Sequence, residues 1–271
     1  MDSLSELKTR LDTMLQTRYV GRPTLLHDEL GSTQDEARRL AAGGAAAGTV
    51  IWAMAQSEGR GRLDRSWLSK RGTGLWFSVI LRPRGDASAA ALLSLAAGVA
   101  VARALAVPGA GSVRLKWPND VLLHGRKLAG VLAEAETQAG HLAFVILGVG
   151  LNLDPGPEGF PASFAGAAAA LTEVAPSPVE PAVLMASLLA ELESAIEMAV
   201  DDPVALRQAW IELSDTVGRE VQAQLGSGTV QGRAVDLDLD GSLVIETDKG
   251  TRRRVRSGEV VHLRPGQDAG S

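Results

Sequence analysis

VRLKWPNDVLLHGRKLAGVLAEAETQAGHLAFVILGVGLNL, residues 113–153, is the stretch on which the fold turns. Apolar residues recur in it as four runs, 113–117, 121–123, 128–136 and 142–153, parted only by short turns. Such runs read as strands. Turns this short hold no crossover helix, so consecutive strands pair as hairpins. The stretch therefore predicts an antiparallel or mixed sheet and not regular βαβ units.

Upstream, 49–55 and 75–81 are further buried strands, the second closed by Pro83. Residues 88–105 are rich in alanine and leucine and predict a buried helix. A short strand is expected over 24–30. A helix then starts at Ser32 or Thr33, with Glu36 at capping-box distance from Thr33, and stops at Gly43-Gly44. Leu4, Leu7, Leu11, Met14 and Leu15 mark an amphipathic helix over 3–16. Downstream, 154–181 reads as an irregular loop with short helical pieces, and 182–200 and 203–213 as helices. After Gly218 the texture changes to short strands, 221–225, 230–237, 242–247 and 251–256, with Asp240-Gly241 and Lys249-Gly250 as hairpin turns. The expected class is α/β (α+β): a mixed, largely antiparallel sheet flanked by helices over 1–216, a small β-barrel over 217–266, and a disordered tail over 267–271.

Composition narrows the function. The chain has no cysteine, which excludes a thiolate nucleophile, a disulfide framework and any Cys-ligated metal. His27, His124, His141 and His262 show no metal-site spacing. A formal net charge of −5 argues against general nucleic-acid binding. No apolar run spans a membrane and no secretory signal opens the chain, so a cytoplasmic protein is expected. Either a monomer or a homodimer is compatible with the sequence.

The most unusual segment is QSEGRGRLDRSW, residues 56–67. Arg60, Arg62 and Arg65 crowd together, with Lys70 and Arg71 just beyond. Like charges this close repel unless an anion joins them. Gly59 and Gly61 are expected to adopt positive φ and to let the backbone approach a ligand, successive N–H groups can form an anion nest, and arginine binds phosphate or carboxylate bidentately. Trp67 offers a flat face to a purine. The segment predicts a site for a phosphorylated, nucleotide-like ligand; its alternative is a solvated surface loop. Neither a P-loop nor a dinucleotide fingerprint occurs.

Three more motifs join it. Lys116-Trp-Pro-Asn-Asp120 sets polar side chains, Asn119 among them, at a sheet edge. Lys127-Leu-Ala-Gly130 leads a lysine into a buried strand, where it meets an anion or snorkels to water. Gly148-Val-Gly-Leu-Asn152 puts glycines inside a strand, the mark of a bulge or a close approach. Asn152 either reads a purine edge or caps the strand.

Taken in order, Ser32-Thr33, Gln56 with the 59–62 loop, and these three motifs resemble the biotin protein ligases, over residues 25–265. The resemblance implies an SH3-like C-terminal barrel and a two-step reaction. Biotin and ATP give biotinyl-5′-AMP and pyrophosphate. A lysine on the biotin carboxyl carrier domain of acetyl-CoA carboxylase or a related carboxylase then takes the biotinyl group. Carried over residue by residue, Ser32, Thr33, Gln34, Gln56, Arg60, Gly61, Arg62, Lys127 and Gly130 form the biotin site. Arg62, Arg65, Trp67, Lys116, Asn119, Lys127 and Asn152 take the nucleotide. Lys127, Arg60 and Arg62 are the catalytic residues, acting electrostatically. Mg²⁺ is expected to come with the phosphates of ATP, with Asp120 as its protein partner or else as a turn cap.

The sequence departs from the family's pattern at four positions. Gly31 stands where Asp is common, Gln34 for Asn, Ser57 for Thr, and Asp64 for the glycine before the last loop arginine. Few residues precede Ser32, so no DNA-binding domain and no DNA binding are expected. Two rivals remain: a lipoate–protein ligase-like acyltransferase and a non-catalytic biotin sensor.

Overall fold

The computed structural model describes residues 3–106, 113–175, 179–226 and 228–263. The expected tail lies outside the described residues. α1 (Leu4–Met14) is opened by a capping box between Ser3 and Glu6. β1 (Thr24–His27), α2 (Thr33–Ala42) and β2 (Val50–Ala53) follow, then β3 (Gly74–Leu81), α3 (Ala89–Ala104), β4 (Val113–Lys116), β5 (Asp120–Leu123), β6 (Arg126–Gln138) and β7 (His141–Asn152). Two short 3₁₀ turns at Ala162–Phe164 and Leu171–Glu173 interrupt the connection to α4 (Pro181–Asp201) and α5 (Pro203–Leu213).

The seven strands run in the order β1-β2-β3-β7-β6-β5-β4. β1 and β2 are parallel, joined through α2, and every other pair is antiparallel. The sheet is thus mixed, and it contains one βαβ unit. Val50, Trp52, Phe77, Val79, Val145 and Leu147 belong to the main core with residues of α3 and α4. On the opposite face Ile51, Ile80, Phe144 and Ile146 pack against Ala37 and Ala41 of α2. Beyond α2 the same face carries Ser78 and Gly148, paired across β3 and β7, and Gly130 and Gly150, paired across β6 and β7. Strand residues with little or no side chain leave room above the sheet, and that room becomes the site.

The C-terminal unit is a five-stranded antiparallel sheet, β8 (Glu220–Leu225), β9 (Gly228–Leu237), β10 (Leu243–Glu246), β11 (Arg252–Val255) and β12 (Glu259–His262), ordered β11-β10-β9-β8-β12. This is the SH3-like element expected. Its last strand falls outside the expected set. Among the described residues no helix is long and apolar enough to cross a membrane.

Other differences are local. β1 ends at His27; Leu30 makes only an isolated bridge to Gln56. Ser32 is the N-cap of α2, accepting the Gln34 N–H at 3.2 Å. The capping box between Thr33 and Glu36 does not form. Thr33 is the first helical residue and gives its hydroxyl to Ser78, while Glu36 pairs with Arg39.

Candidate active site

A cavity of about 320 Å³ opens on the α2 face of the sheet. The start of α2, the arginine loop, the 116–120 turn, the glycines of β6 and β7, the 154–168 connection and Glu259-Val260 all contribute to its wall.

One end is polar and already hydrogen-bonded. Thr33 Oγ1 lies 2.9 Å from Ser78 Oγ, and the Ser78 hydroxyl donates to Gln34 Oε1 at 3.0 Å. Gln34 Nε2 donates to the carbonyls of Leu132 and Ile146. Its amide lies across the strand at Gly148, where an added Cβ would come within 2.5 Å of Oε1. Gln56 accepts the Thr33 N–H at 2.8 Å and donates to Ser69 Oγ at 2.8 Å. Ser32, Thr33 and Gln34 are buried. A closed network of this kind fixes each donor and acceptor before a ligand arrives.

The loop over residues 56–72 doubles back on itself. Gly61 N–H donates to the Arg65 carbonyl at 2.7 Å, and Trp67 N–H to that of Gly59 at 2.7 Å. The residues with positive φ are Leu63 and Asp64 at its tip and Gly72 at its end, not Gly59 or Gly61 as expected. Asp64 thus occupies a left-handed position that glycine takes without strain and Asp tolerates. What lies close to Gly59 is the loop's own return: a Cβ there would sit 2.3 Å from the Trp67 carbonyl.

The arginines do not need a ligand to relieve their repulsion. Arg60 reaches Asp35 at 2.6 Å and Glu134 at 2.9 Å, and Arg38 reaches the same two carboxylates at 2.8 Å each. Arg65 pairs with Glu259, Lys70 with Glu158 and Arg71 with Asp28. Burial works against the Arg60 charge, yet Glu134 and Asp35 raise its pKa above the usual value. Arg62 is different. Its partners are uncharged, Asn119 Oδ1 at 3.1 Å and the Gly258 carbonyl at 3.2 Å. Burial draws its pKa down, against the pull of Asp120 and Glu259. A half-buried cation held by neutral groups is the one that gains most from an anion.

Lys116, Asp120, Gly130, Gly150 and Trp76 fall in one row across five strands. Residues in register share a face, so this row brings Lys116 and Asp120 to the cavity. Lys127 Nζ lies 2.6 Å from Asp120 Oδ1 and 5.1 Å from the centre of the Trp67 ring. Lys127 therefore meets an anion, though the anion belongs to the protein. Trp67 lies over the glycine pair of the row: a Cβ on Gly130 or Gly150 would come within 2.9 or 2.7 Å of its ring. The backbone approach expected at Gly130 is filled by this indole, which stands edge-on to Trp76 at 6.4 Å. The Asn152 amide group donates to the Ala169 carbonyl at 3.1 Å and the Lys127 carbonyl at 3.4 Å, and that of Asn119 to the Val131 carbonyl at 2.7 Å. Among the described residues no three His, Asp or Glu side chains gather as a metal cluster.

All the expected site residues border this one cavity. The residues missed are Ser78, Ser69, Asp35, Glu134 and Glu259. Ser78 had a signal: it is the lone polar residue in the buried strand Gly74–Leu81. Glu134 and Asp35 had none, because only the fold brings them to Arg60.

Comparison with known proteins matches residues 30–152 to the biotin/lipoate A/B protein ligase family and residues 216–263 to the biotin protein ligase C terminal domain. The biotin--[acetyl-CoA-carboxylase] ligase of Mycobacterium tuberculosis is 37% identical over 243 residues, 87% of each chain. The bifunctional ligase/repressor BirA of Bacillus subtilis is 32% identical over 251 residues, 92% of this chain and 77% of that one. The structure is similar to the Aquifex aeolicus biotin protein ligase in complex with biotin and ATP, with a TM-score of 0.75 and 28% identity, covering 90% of this chain and 99% of that one.

Proposed function

This chain belongs to the biotin protein ligase family, and we propose that its cavity carries out both steps of an ATP-dependent biotinylation, with the residues named above in distinct roles. The enzyme is a biotin–protein ligase. Biotin and ATP are its small-molecule substrates and a carboxylase is its acceptor. In the proposed division, residues 1–216 form the catalytic part and 217–266 the barrel.

The observation that carries the assignment is the adjoining of two environments in one cavity. A pre-bonded amide and hydroxyl pocket at Ser32, Thr33, Gln34, Gln56 and Ser78 meets a cationic stretch at Arg62, Lys116 and Lys127. The pocket suits an uncharged ureido ring. The cations suit a carboxylate and a polyphosphate.

In the first step a carboxylate oxygen of biotin attacks the α-phosphorus of ATP, and the bond to pyrophosphate breaks. Lys127 stands at the junction and offsets charge on both reacting groups. Arg62, half-buried and without a carboxylate partner among the described residues, is the second fixed cation. Arg60 is turned away to Asp35 and Glu134, which supports a role in anchoring the loop over a role at the phosphate. In the second step the acceptor amine attacks the acyl carbon, AMP leaves, and the amine gives up a proton.

Mg²⁺ neutralises polyphosphate charge when it binds with ATP, and it needs only one or two protein carboxylates. Asp120 suits that part, once Lys127 turns from it to the substrate. The acceptor lysine is placed on a biotin carboxyl carrier domain. The need for ATP supports a reaction in the cytoplasm, and the net charge of −5 supports a ligase that does not bind DNA.

ATP–pyrophosphate exchange tests the reading. Exchange stimulated by biotin is expected. Exchange stimulated by lipoate alone would overturn the substrate, and biotin binding with no exchange would overturn the catalysis.

A further inference from the structure

Thr216, in the link between α5 and β8, is fully enclosed. Its hydroxyl oxygen accepts the backbone N–H of Trp117 at 3.0 Å. The same oxygen lies 3.1 Å from Nε2 of His262 on β12. A hydroxyl oxygen can accept twice, so the roles are set by the other ring nitrogen: Asp215 beside Nδ1 favours the proton there and leaves Nε2 to accept from the Thr216 hydroxyl. Nδ1 faces Asp215 at 3.6 Å. Burial, helped by Lys116, pushes the His262 pKa down to about 4, which keeps the ring neutral as this tautomer requires.

The segment around Thr216 grips the edge of the large sheet at several points. Asp215 N–H donates to the Leu115 carbonyl at 2.7 Å, and the Arg114 guanidinium donates to the carbonyls of Glu212 and Ser214. Trp117 itself is buried, and its indole N–H donates to the Gly241 carbonyl in the β9–β10 turn. The next residues of the same turn reach the cations of the cavity. Asn119 accepts from Arg62, and Asp120 holds Lys127.

We infer that Thr216 and His262 are positioning residues for adenylation: from the side of the C-terminal barrel they fix the 117–120 turn, and through it Arg62 and Lys127. The inference rests on the ligase reading. Neither residue lines the cavity. The ureido pocket is built on α2, the loop and β3, and only the biotin carboxylate meets Arg62 and Lys127, so displacement of the turn lowers the rate more than it weakens biotin binding.

The test uses the full chain with Thr216→Val, which keeps the shape and removes the hydroxyl, and Thr216→Ser, which keeps the hydroxyl. Biotin-dependent pyrophosphate exchange, biotin Kd and the His262 tautomer by long-range ¹⁵N NMR are measured together. Thr216→Val is expected to lower kcat by about tenfold or more while biotin Kd rises by much less, since small misplacements of catalytic groups cost rate steeply. His262 loses its fixed Nδ1–H form in that variant. Thr216→Ser restores both the rate and the tautomer. Equal rates in Thr216→Val and wild type would overturn the inference. So would equal losses in the two variants, or a loss of biotin binding in step with the rate, because each marks a merely structural residue. A wild-type protein without exchange would overturn the ligase reading itself.

Discussion

Lys127 and Asp120 meet at 2.6 Å across neighbouring strands, on the floor of the cavity and beside Trp67. An incoming carboxylate or phosphate competes with Asp120 for the same ammonium, so the lysine is held in place before the substrate arrives. Lys127→Ala is expected to slow pyrophosphate exchange by about 10²–10³-fold, the usual loss when one electrostatic stabiliser is removed. Thermal stability should change little, because a pair this exposed contributes about 0–1 kcal/mol. An exchange rate near that of wild type would remove Lys127 from its role.

Ser78 joins Thr33 to Gln34 in the buried pocket. Ser78→Ala leaves the Gln34 oxygen without its donor in a closed space, a change that costs about 1–3 kcal/mol. Biotin affinity is expected to fall by roughly tenfold, by the same free energy. Denaturant unfolding and titration calorimetry check the two figures. An unchanged biotin Kd would place the ureido ring elsewhere.

Asp35 and Glu134 hold Arg60 where an anionic ligand was expected to do so. The double variant Asp35→Ala/Glu134→Ala frees one end of the arginine loop. Trypsin should then cut between residues 60 and 71 roughly threefold faster or more without ligand, since cleavage follows the open population. Biotin with ATP should slow the cutting in both proteins. Equal rates in the two ligand-free proteins would show that the ion pairs do not secure the loop.

His262 gives stability a pH dependence. Its pKa is lowered in the folded chain to about 4 from 6.5, by burial first, then by Lys116 and Arg219, against Asp215. A lowered base pKa means that the unfolded chain binds the proton more readily. The contribution is therefore complete above pH 6.5 and is lost as pH falls from there toward 4, by on the order of 3 kcal/mol in all. Thermal unfolding across that window should show the slope, and His262→Gln should flatten it. A slope unchanged by the substitution would assign it to other groups.

The pairing of strands was legible where apolar runs and short turns coincide, as over residues 113–153. β12 was not legible: Glu259 and His262 flank only two valines, and the strand is defined by its pairing with β8. The arginine loop shows both sides of this limit. Its charge is plain in the sequence, and so is the need for countercharge. Asp35, Glu134 and Glu259 lie 25, 74 and 194 residues away from the arginines they meet, and only the fold supplies them. Glycines behaved alike. Gly59, Gly130 and Gly150 marked close approaches, but the approaching group in each case is part of the loop, the Trp67 carbonyl or its ring.

The purified chain, biotin, Mg·ATP and a biotin carboxyl carrier domain are mixed, and the carrier is weighed by mass spectrometry. A gain of one biotinyl group, absent when ATP or biotin is left out, is the predicted result. A carrier of unchanged mass, under conditions where a known ligase modifies it, would contradict the account.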